Sequence, residues 1–430
     1  MTLGSAQTRT RLVLAVSALL LLIGIIVAAT SGPTATEPRL RLPGSGRLTW
    51  TGNPLSYVSA RADEFTARAT SGSGYVLFAK SPGGAVATAA RVAKYRPLID
   101  AAVQGTGIDP NLLEGLVFLE SAGNPNALAG SDAADAAGLT QILAQTGQSL
   151  LHMHIDLAQS RALTSRIDKA FSAGNAGLVA RLQRQRAAID DRFNPNRALA
   201  ATVQYLELAR RDLGGRLDLA IVAYHMGIGN LQHVLRLYSG GAPVPYVQLF
   251  FDSHGAANNF LSALGDDSSL YWWRVLGAAQ IMQLWRTDRT ALEHLAKLET
   301  SARSSANVLH PPGQAPTGPL LPLPSDPTRY ALRYGRGVAG ELRPPALDVL
   351  AELGVRVKRS WGGRAPLTVA SVGNYSFSIA RQYARPAQAE AFQTVLDRLQ
   401  ALNLITWSRS SVTIDVTAAS DASTYLRHGP

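Results

Sequence analysis

A single carboxylate at the end of a short apolar segment is the first candidate for chemistry in this chain. The segment reads LEGLVFLESAGNP over residues 113–125 and contains Glu120. Asp109 before it and Gly123 after it are typical of the start and the end of a helix. Because Glu120 would share an apolar face near the negative end of the helix dipole, we expect its pKa to be raised. Such a carboxyl group can act as a general acid; a functionless glutamate at an exposed helix end is the alternative.

Two further polar motifs follow Glu120-Ser121 in a fixed order. GLTQ at 138–141 ends a loop of small residues, and AYHMGIG lies at 223–229. With Glu120-Ser121, these motifs resemble the pattern ES…GLMQ…AYNAGxG of the soluble-type lytic transglycosylases. The resemblance covers about residues 85–285. It implies a mainly α-helical, lysozyme-like fold.

The resemblance implies cleavage of the β-1,4 bond between N-acetylmuramic acid and N-acetylglucosamine in peptidoglycan. Glu120 matches the catalytic glutamate, which in the family protonates the glycosidic oxygen and then deprotonates the muramoyl 6-hydroxyl. That hydroxyl closes a 1,6-anhydro ring without water. Most glycosidases use two carboxylates, whereas the first acidic residues that follow Glu120 in sequence, Asp132 and Asp135, stand in no comparable motif. One acid–base group is sufficient if the sugar's own hydroxyl is the nucleophile.

Further positions match the family's site. Tyr224 matches the tyrosine whose hydroxyl faces the catalytic glutamate, and Gln141 matches the glutamine of the cleft. An amide both donates and accepts hydrogen bonds, which suits N-acetyl groups. Ser121 belongs to the first motif, and Ser131 corresponds to the family's loop serine in a loop longer than usual. An ordinary core tyrosine and a solvent-facing helical glutamine are the alternatives for Tyr224 and Gln141.

The motifs depart from the family at two positions. Thr140 replaces the usual methionine and His225 replaces the usual asparagine, which changes the polarity of the cleft. We include His225 and Gly227 among the substrate-binding residues. The histidine can add pH sensitivity or serve as a structural hydrogen-bond partner, and the glycine permits a sharp turn near the sugar or only ends a helix. Because His152 and His154 have no acidic cluster beside them, we predict no metal and no cofactor.

The N-terminus and the composition predict an exported protein. Arg9 and Arg11 precede an uncharged run of 18 residues at 12–29, which indicates a membrane anchor or a signal peptide. The 430-residue chain has no cysteine and a formal charge of +11. This charge fits an anionic cell wall better than nucleic acid, because no nucleic-acid-binding motif is present. We expect the cell envelope as the location, with peptidoglycan glycan strands and the membrane as partners.

Changes in composition divide the chain into five parts. They are a signal peptide or membrane anchor (1–30), a loosely structured linker (31–84), a helical lytic transglycosylase domain (85–300), a proline-rich linker (301–329) and a small α+β domain (330–430). Within the first linker, YVLFA at 75–79 has the composition of a short strand.

Local patterns refine the helical domain. LTQILAQTGQSLL at 139–151 predicts a short helix, and residues 160–190 predict an exposed helical segment. Asn194 predicts the N-cap of the helix that follows. The run Tyr271-Trp272-Trp273 fits a core helix better than a sugar platform.

The last hundred residues predict two helices, around 344–358 and at 386–402, and the strands PLTVASV, YSFSIA, LITWSR and SVTIDVTA. Their order resembles the zinc D-alanyl-D-alanine carboxypeptidase and endopeptidase superfamily. Ser378 stands where that family has its aspartate, and Asp415 stands where it has its final histidine, so the zinc ligands are missing. We interpret the domain as a degenerate, zinc-free relative that binds wall peptides or acts as a scaffold; an unrelated α+β module is the alternative.

The sequence therefore predicts an envelope lytic transglycosylase with an inactive peptidase-like appendage. Two alternatives stay open. One is a hydrolytic muramidase, which would use water instead of the 6-hydroxyl. The other is a non-catalytic cell-wall-binding scaffold.

Overall fold

The computed structural model describes residues 54–264, 268–301, 319–360, 366–383 and 386–428. The segment predicted to be a signal peptide or membrane anchor, residues 1–30, lies outside these ranges. Among the described residues, no helix combines the length and the apolar character needed to cross a membrane. The described residues fall into two compact units.

The first unit comprises residues 77–228 and 274–296 and is built of helices. The helices that lie wholly or mostly in it are Ala85–Val92, Arg96–Val103, Pro110–Ser121, Ala144–Ser149, Leu157–Ser172, Ala176–Ile189, Pro195–Asp212, Leu217–Met226, Tyr271–Thr287 and Arg289–Ser301. Among its described residues, extended pairing occurs only as isolated bridges, for example between Ala137 and Ile142. The prediction of a mainly helical domain is confirmed.

The helix that carries Glu120 begins where the sequence predicts. The Asp109 side chain accepts a hydrogen bond from the backbone N–H of Asn111 at 2.8 Å and caps the helix. Halfway along, a Cβ atom at Gly115 would lie 2.5 Å from a backbone oxygen of the helix Tyr271–Thr287. Gly115 therefore allows the two backbones to approach closely, which fixes the position of the Glu120 helix.

Two other helical predictions are confirmed. Residues 160–190 lie in a helical hairpin, Leu157–Ser172 and Ala176–Ile189, whose surface is mostly exposed. Asn194 caps the helix Pro195–Asp212, because its side chain accepts from two backbone N–H groups of the first turn.

One local prediction is wrong, and a second is correct only in part. YVLFA at 75–79 lies inside the helix Ala62–Lys80, so the predicted linker over 31–84 contains a helix rather than a strand. The helix predicted over 139–151 is reduced to Ala144–Ser149.

The second unit comprises, among the described residues, parts of 54–76, 229–273 and 297–430. The helices that lie wholly or mostly in it are Ala62–Lys80, Ile228–Ser239, Tyr246–Asp252, Gly255–Ala263, Pro344–Ser360, Pro386–Ala401 and Ala422–His428. Its strands are β1 (Leu321–Pro322), β2 (Leu332–Tyr334), β3 (Glu341–Leu342), β4 (Leu367–Val372), β5 (Ser376–Ala380), β6 (Ile405–Arg409) and β7 (Thr413–Ala418).

A five-stranded sheet organises the C-terminal part of this unit. Its strand order is β2-β4-β5-β7-β6, in which β2 and β4 are parallel and the other neighbours are antiparallel. Strands β4 to β7 and both long helices confirm the predicted small α+β region. β1 lies within the range predicted as a proline-rich linker, 301–329, and pairs with β3 beyond it, so part of that range is structured. The predicted boundaries of the domains stay predictions.

Tyr271 and Trp273 of the aromatic run belong to the core, as predicted, whereas Trp272 is half-buried. Trp273 is fully buried, and its ring lies 5.7 Å from Tyr246 and 5.9 Å from Phe250, measured between centroids. These contacts leave Trp273 no role as a sugar platform.

Candidate active site

Glu120 occupies the last turn of the helix Pro110–Ser121, with its side chain partly exposed. The neighbouring Ser121 is buried, and its hydroxyl donates to the carbonyl oxygen of Val117 at 3.4 Å. The helix ends at Ala122, whose left-handed backbone (φ 52°) redirects the chain. Ser121 therefore serves the helix end, while Glu120 lies where a substrate can reach it.

Tyr224 lies on the helix Leu217–Met226 and interacts both with Glu120 and with the loop that contains Thr140. The Tyr224 hydroxyl donates to the backbone carbonyl oxygen of Thr140 at 2.7 Å and lies 3.3 Å from the hydroxyl of Thr202. Burial raises the pKa of Tyr224 well above its usual value, and the negative charge of Glu120 raises it further. The structure thus places Glu120 close enough to act electrostatically on Tyr224, whose hydroxyl stays protonated at neutral pH.

Gln141 is neither helical nor exposed to solvent. It is 8 % exposed and has a left-handed backbone (φ 54°), which excludes it from a regular helix. Its side-chain Nε2 donates to the carbonyl oxygens of Gly138 at 2.8 Å and Ala127 at 3.3 Å. The amide nitrogen therefore holds the loop together from inside.

Ser131 is exposed in the same loop, next to Asp132, the first acidic residue that follows Glu120 in sequence. Arg161 donates to both carboxylate oxygens of Asp132, at 2.6 and 2.8 Å. This pairing is the main reason why the pKa of Asp132 is lowered. Asp135 accepts from the backbone N–H of Asp132 at 3.4 Å. Asp132 is thus held in its ionised form, which does not suit a general acid.

His225 and Gly227 end the helix that carries Tyr224. His225 is half-buried in its last turn, and Gly227 adopts φ 87° while its N–H donates to the carbonyl oxygen of Ala223 at 2.8 Å. Gly229 lies within the next helix, where an added Cβ would meet nothing within 4 Å. The sharp turn beside the site therefore depends on Gly227 rather than Gly229.

Sequence reasoning missed a buried ion pair behind the loop. Asp190 and Arg192 are both fully buried, and the Arg192 guanidinium donates to both carboxylate oxygens of Asp190 at 2.9 and 2.7 Å. Charged residues of these types are seldom fully buried unless they are paired. The only trace of this pair in the sequence is the run DDRF at 190–193, directly before the Asn194 cap. In sequence, such a run cannot be distinguished from an exposed charged turn.

A protein-family model matches one part of the chain, most of which lies in the helical unit. The model of the transglycosylase SLT domain matches residues 97–187 and 171–242, which together span about a third of the chain. This region is similar to transglycosylase SLT domains. The matched residues include Glu120, Gln141 and Tyr224, and the two matches overlap within the helical hairpin. A comparison with curated protein sequences gave no significant match.

The similarity to the SLT domain implies a transglycosylase that acts on peptidoglycan. It supports the first of the two resemblances stated above and the peptidoglycan glycan strand as the substrate. The matched residues end before the C-terminal α+β region, so the likeness to zinc carboxypeptidases stays a prediction.

Proposed function

We propose that the helical unit is a lytic transglycosylase in which Glu120 is the single acid–base group. The observation that carries the proposal is the hydrogen bond from the Tyr224 hydroxyl to the Thr140 carbonyl oxygen at 2.7 Å, which joins the second and third motifs. The charge of Glu120, in the first motif, raises the pKa of the same hydroxyl group, which supports a place for Glu120 near it.

The reaction has two halves that use the same carboxyl group. In the first, the protonated Glu120 gives its proton to the glycosidic oxygen, the bond to C1 of N-acetylmuramic acid breaks, and positive charge develops at C1. In the second, the Glu120 carboxylate removes the proton from the muramoyl 6-hydroxyl, and O6 bonds to C1. Glu120 ends protonated, as it began, and no water is consumed.

The remaining residues bind or orient the sugars in this proposal. Tyr224 is the neutral donor beside the carboxylate, where it stabilises the charged form between the two halves. The Gln141 carbonyl oxygen accepts from an N-acetyl N–H, because its amide nitrogen is already bonded within the loop. Ser131, His225 and Gly227 line the path of the glycan, and Ser121 supports the end of the Glu120 helix.

Digestion of purified peptidoglycan in water enriched in oxygen-18 tests the reaction. We expect products with 1,6-anhydro ends, lighter than hydrolysis products by one water molecule and free of the heavy isotope. Glu120→Gln should abolish cleavage and leave binding to sacculi intact. Isotope in the reducing ends would establish a hydrolytic muramidase instead. Binding without any turnover of the wild-type protein would establish a scaffold.

We also propose an extracytoplasmic location, with residues 1–30 as anchor or signal peptide, and a zinc-free C-terminal domain. The two positions that replace zinc ligands, Ser378 and Asp415, lie opposite each other on β5 and β7, and the Ser378 hydroxyl donates to the Asp415 carboxylate at 2.6 Å. This bond pairs the Ser378 hydroxyl with one oxygen atom of the Asp415 carboxylate. Stoichiometric zinc uptake by the full chain, lost in Asp415→Ala, would overturn the zinc-free assignment.

A further inference from the structure

The buried pair of Asp190 and Arg192 contacts the loop of residues 127–142, which carries Thr140. The guanidinium donates to three backbone carbonyl oxygens, those of Ala133 (2.6 Å), Asp135 (3.0 Å) and Ile142 (3.4 Å). Its other donors go to the Asp190 carboxylate. Because a guanidinium is planar and rigid, these bonds fix three points of the loop backbone relative to one plane.

Further contacts hold Asp190 and the main chain of Arg192 in place. The Ser160 hydroxyl donates to Asp190 Oδ2 at 2.7 Å, and the backbone N–H of Arg192 donates to Oδ1 at 3.2 Å. On the other side, an added Cβ at Gly138 would lie 1.8 Å from the Arg192 carbonyl oxygen. The loop therefore rests on both the side chain and the main chain of Arg192.

We propose that Arg192, oriented by Asp190, is a positioning residue that holds the loop so that the Thr140 carbonyl receives the Tyr224 hydroxyl beside Glu120. Thr140 lies between two of the carbonyl groups fixed by the guanidinium. A shift of the loop would therefore move the acceptor of the Tyr224 hydroxyl. The inference rests on the proposed function for its catalytic consequence, but its structural part concerns the loop alone.

Two kinds of variant test the role. Arg192→Lys keeps the charge and loses the planar fork, and the double variant Asp190→Asn with Arg192→Gln removes both charges, so that no unpaired charge is left buried. For both we expect kcat on peptidoglycan to fall about 10- to 100-fold while KM changes less than about threefold, since the defect is one of geometry. Hydrogen exchange at the amides of residues 133–144 should become faster in both variants.

Arg286→Gln is the matched control. Arg286 and Arg96 both bond to the fully buried Glu114, which lies on the Glu120 helix but about 9 Å from it along the axis. We expect this variant to lower the melting temperature about as much as the Arg192 variants do, while kcat and the hydrogen exchange of residues 133–144 stay unchanged.

Three results would overturn the proposal. They are wild-type kcat in both Arg192 variants, an equal loss of kcat in Arg286→Gln, and unchanged exchange of residues 133–144 in Arg192→Lys. If the wild-type protein cleaves no glycan, the proposed function fails, and the exchange measurement by itself decides whether Arg192 holds the loop.

Discussion

Replacing Tyr224 by phenylalanine removes one hydroxyl from the centre of the candidate site and leaves the ring. In the structure this hydroxyl donates to the Thr140 carbonyl oxygen at 2.7 Å, and its pKa is raised by burial and by the charge of Glu120. The variant therefore separates two roles. One is the hydrogen bond that ties the helix Leu217–Met226 to the loop. The other is the neutral donor beside a carboxylate.

The two roles predict effects of different size. Loss of a neutral hydrogen bond lowers the free energy of unfolding by about 0.5–1.5 kcal/mol. A hydrogen bond to an ionised group contributes about 1.5–3 kcal/mol. If Tyr224 donates to the Glu120 carboxylate in the second half of the reaction, kcat should fall about 10- to 150-fold in Tyr224→Phe. KM should change little, because the interaction strengthens only when the carboxylate is charged.

Tyr205→Phe is a closely matched control. Tyr205 lies with its ring edge-on to that of Tyr224, 5.2 Å between centroids, and its hydroxyl donates to the carbonyl oxygen of Ala223 at 2.8 Å. Burial raises the pKa of Tyr205 to about 12. We expect urea unfolding to report similar losses of stability in both variants, and release of soluble glycan fragments to slow only in Tyr224→Phe.

Two results would contradict the role assigned to the Tyr224 hydroxyl. If Tyr224→Phe keeps kcat within twofold of the wild type while its stability falls as in Tyr205→Phe, Tyr224 is an ordinary core tyrosine. If both variants lose activity equally, the rate depends on packing in this region and not on the hydroxyl beside Glu120.

Three further predictions concern the loop at 138–140 and two buried tyrosines. The Thr140 hydroxyl is buried without a hydrogen-bond partner among the described residues, so Thr140→Val should raise the free energy of unfolding by about 1 kcal/mol in urea titrations, and a loss of stability would contradict this. Gly138→Ala should lower the free energy of unfolding by about 2–4 kcal/mol and slow the reaction, because Gly138 has φ 81° and an added Cβ would meet a backbone oxygen. An unfolding midpoint equal to that of the wild type would refute this. Folding raises the pKa of Tyr224 and of Tyr246, so their contribution to the free energy of unfolding is complete below pH about 10 and is lost as the pH rises above it. The loss is up to about 1.4 kcal/mol per pH unit for each tyrosine, and Tyr224→Phe should make the decline shallower in unfolding measured against pH.

Helices and caps were predictable wherever the signal is local. Asp109 and Asn194 each accept bonds from backbone N–H groups within three residues, so the residue type itself indicates the helix start. Strands β4 to β7 were predictable for the same reason, since Phe377 and Ile379 alternate with polar neighbours on β5 and face the core. The strand predicted over 75–79 failed because a short β-prone run lies within a longer helix, where neighbouring residues decide the structure.

The candidate site was also predictable from the sequence only in part. The motifs indicated that Glu120 and Tyr224 belong together, and their electrostatic coupling supports this. The backbone of Gln141 was not predictable, because its left-handed conformation depends on the bonds of its side chain to the loop. Arg192 was not predictable because the three carbonyl groups it binds lie 50 to 59 residues earlier in the chain.

The Tyr224 hydroxyl gives a physical reason why Glu120 suits a role that changes its charge. An arginine at bonding distance favours the ionised form of a carboxylate and would hinder its protonation. A group that must donate a proton in one half of a reaction and accept one in the next needs a neighbour that tolerates both forms. A tyrosine hydroxyl does so, because it can donate to the carboxylate and can turn to another acceptor when the carboxyl group is protonated. The Thr140 carbonyl is that second acceptor here, which links the chemistry of Glu120 to the position of the loop.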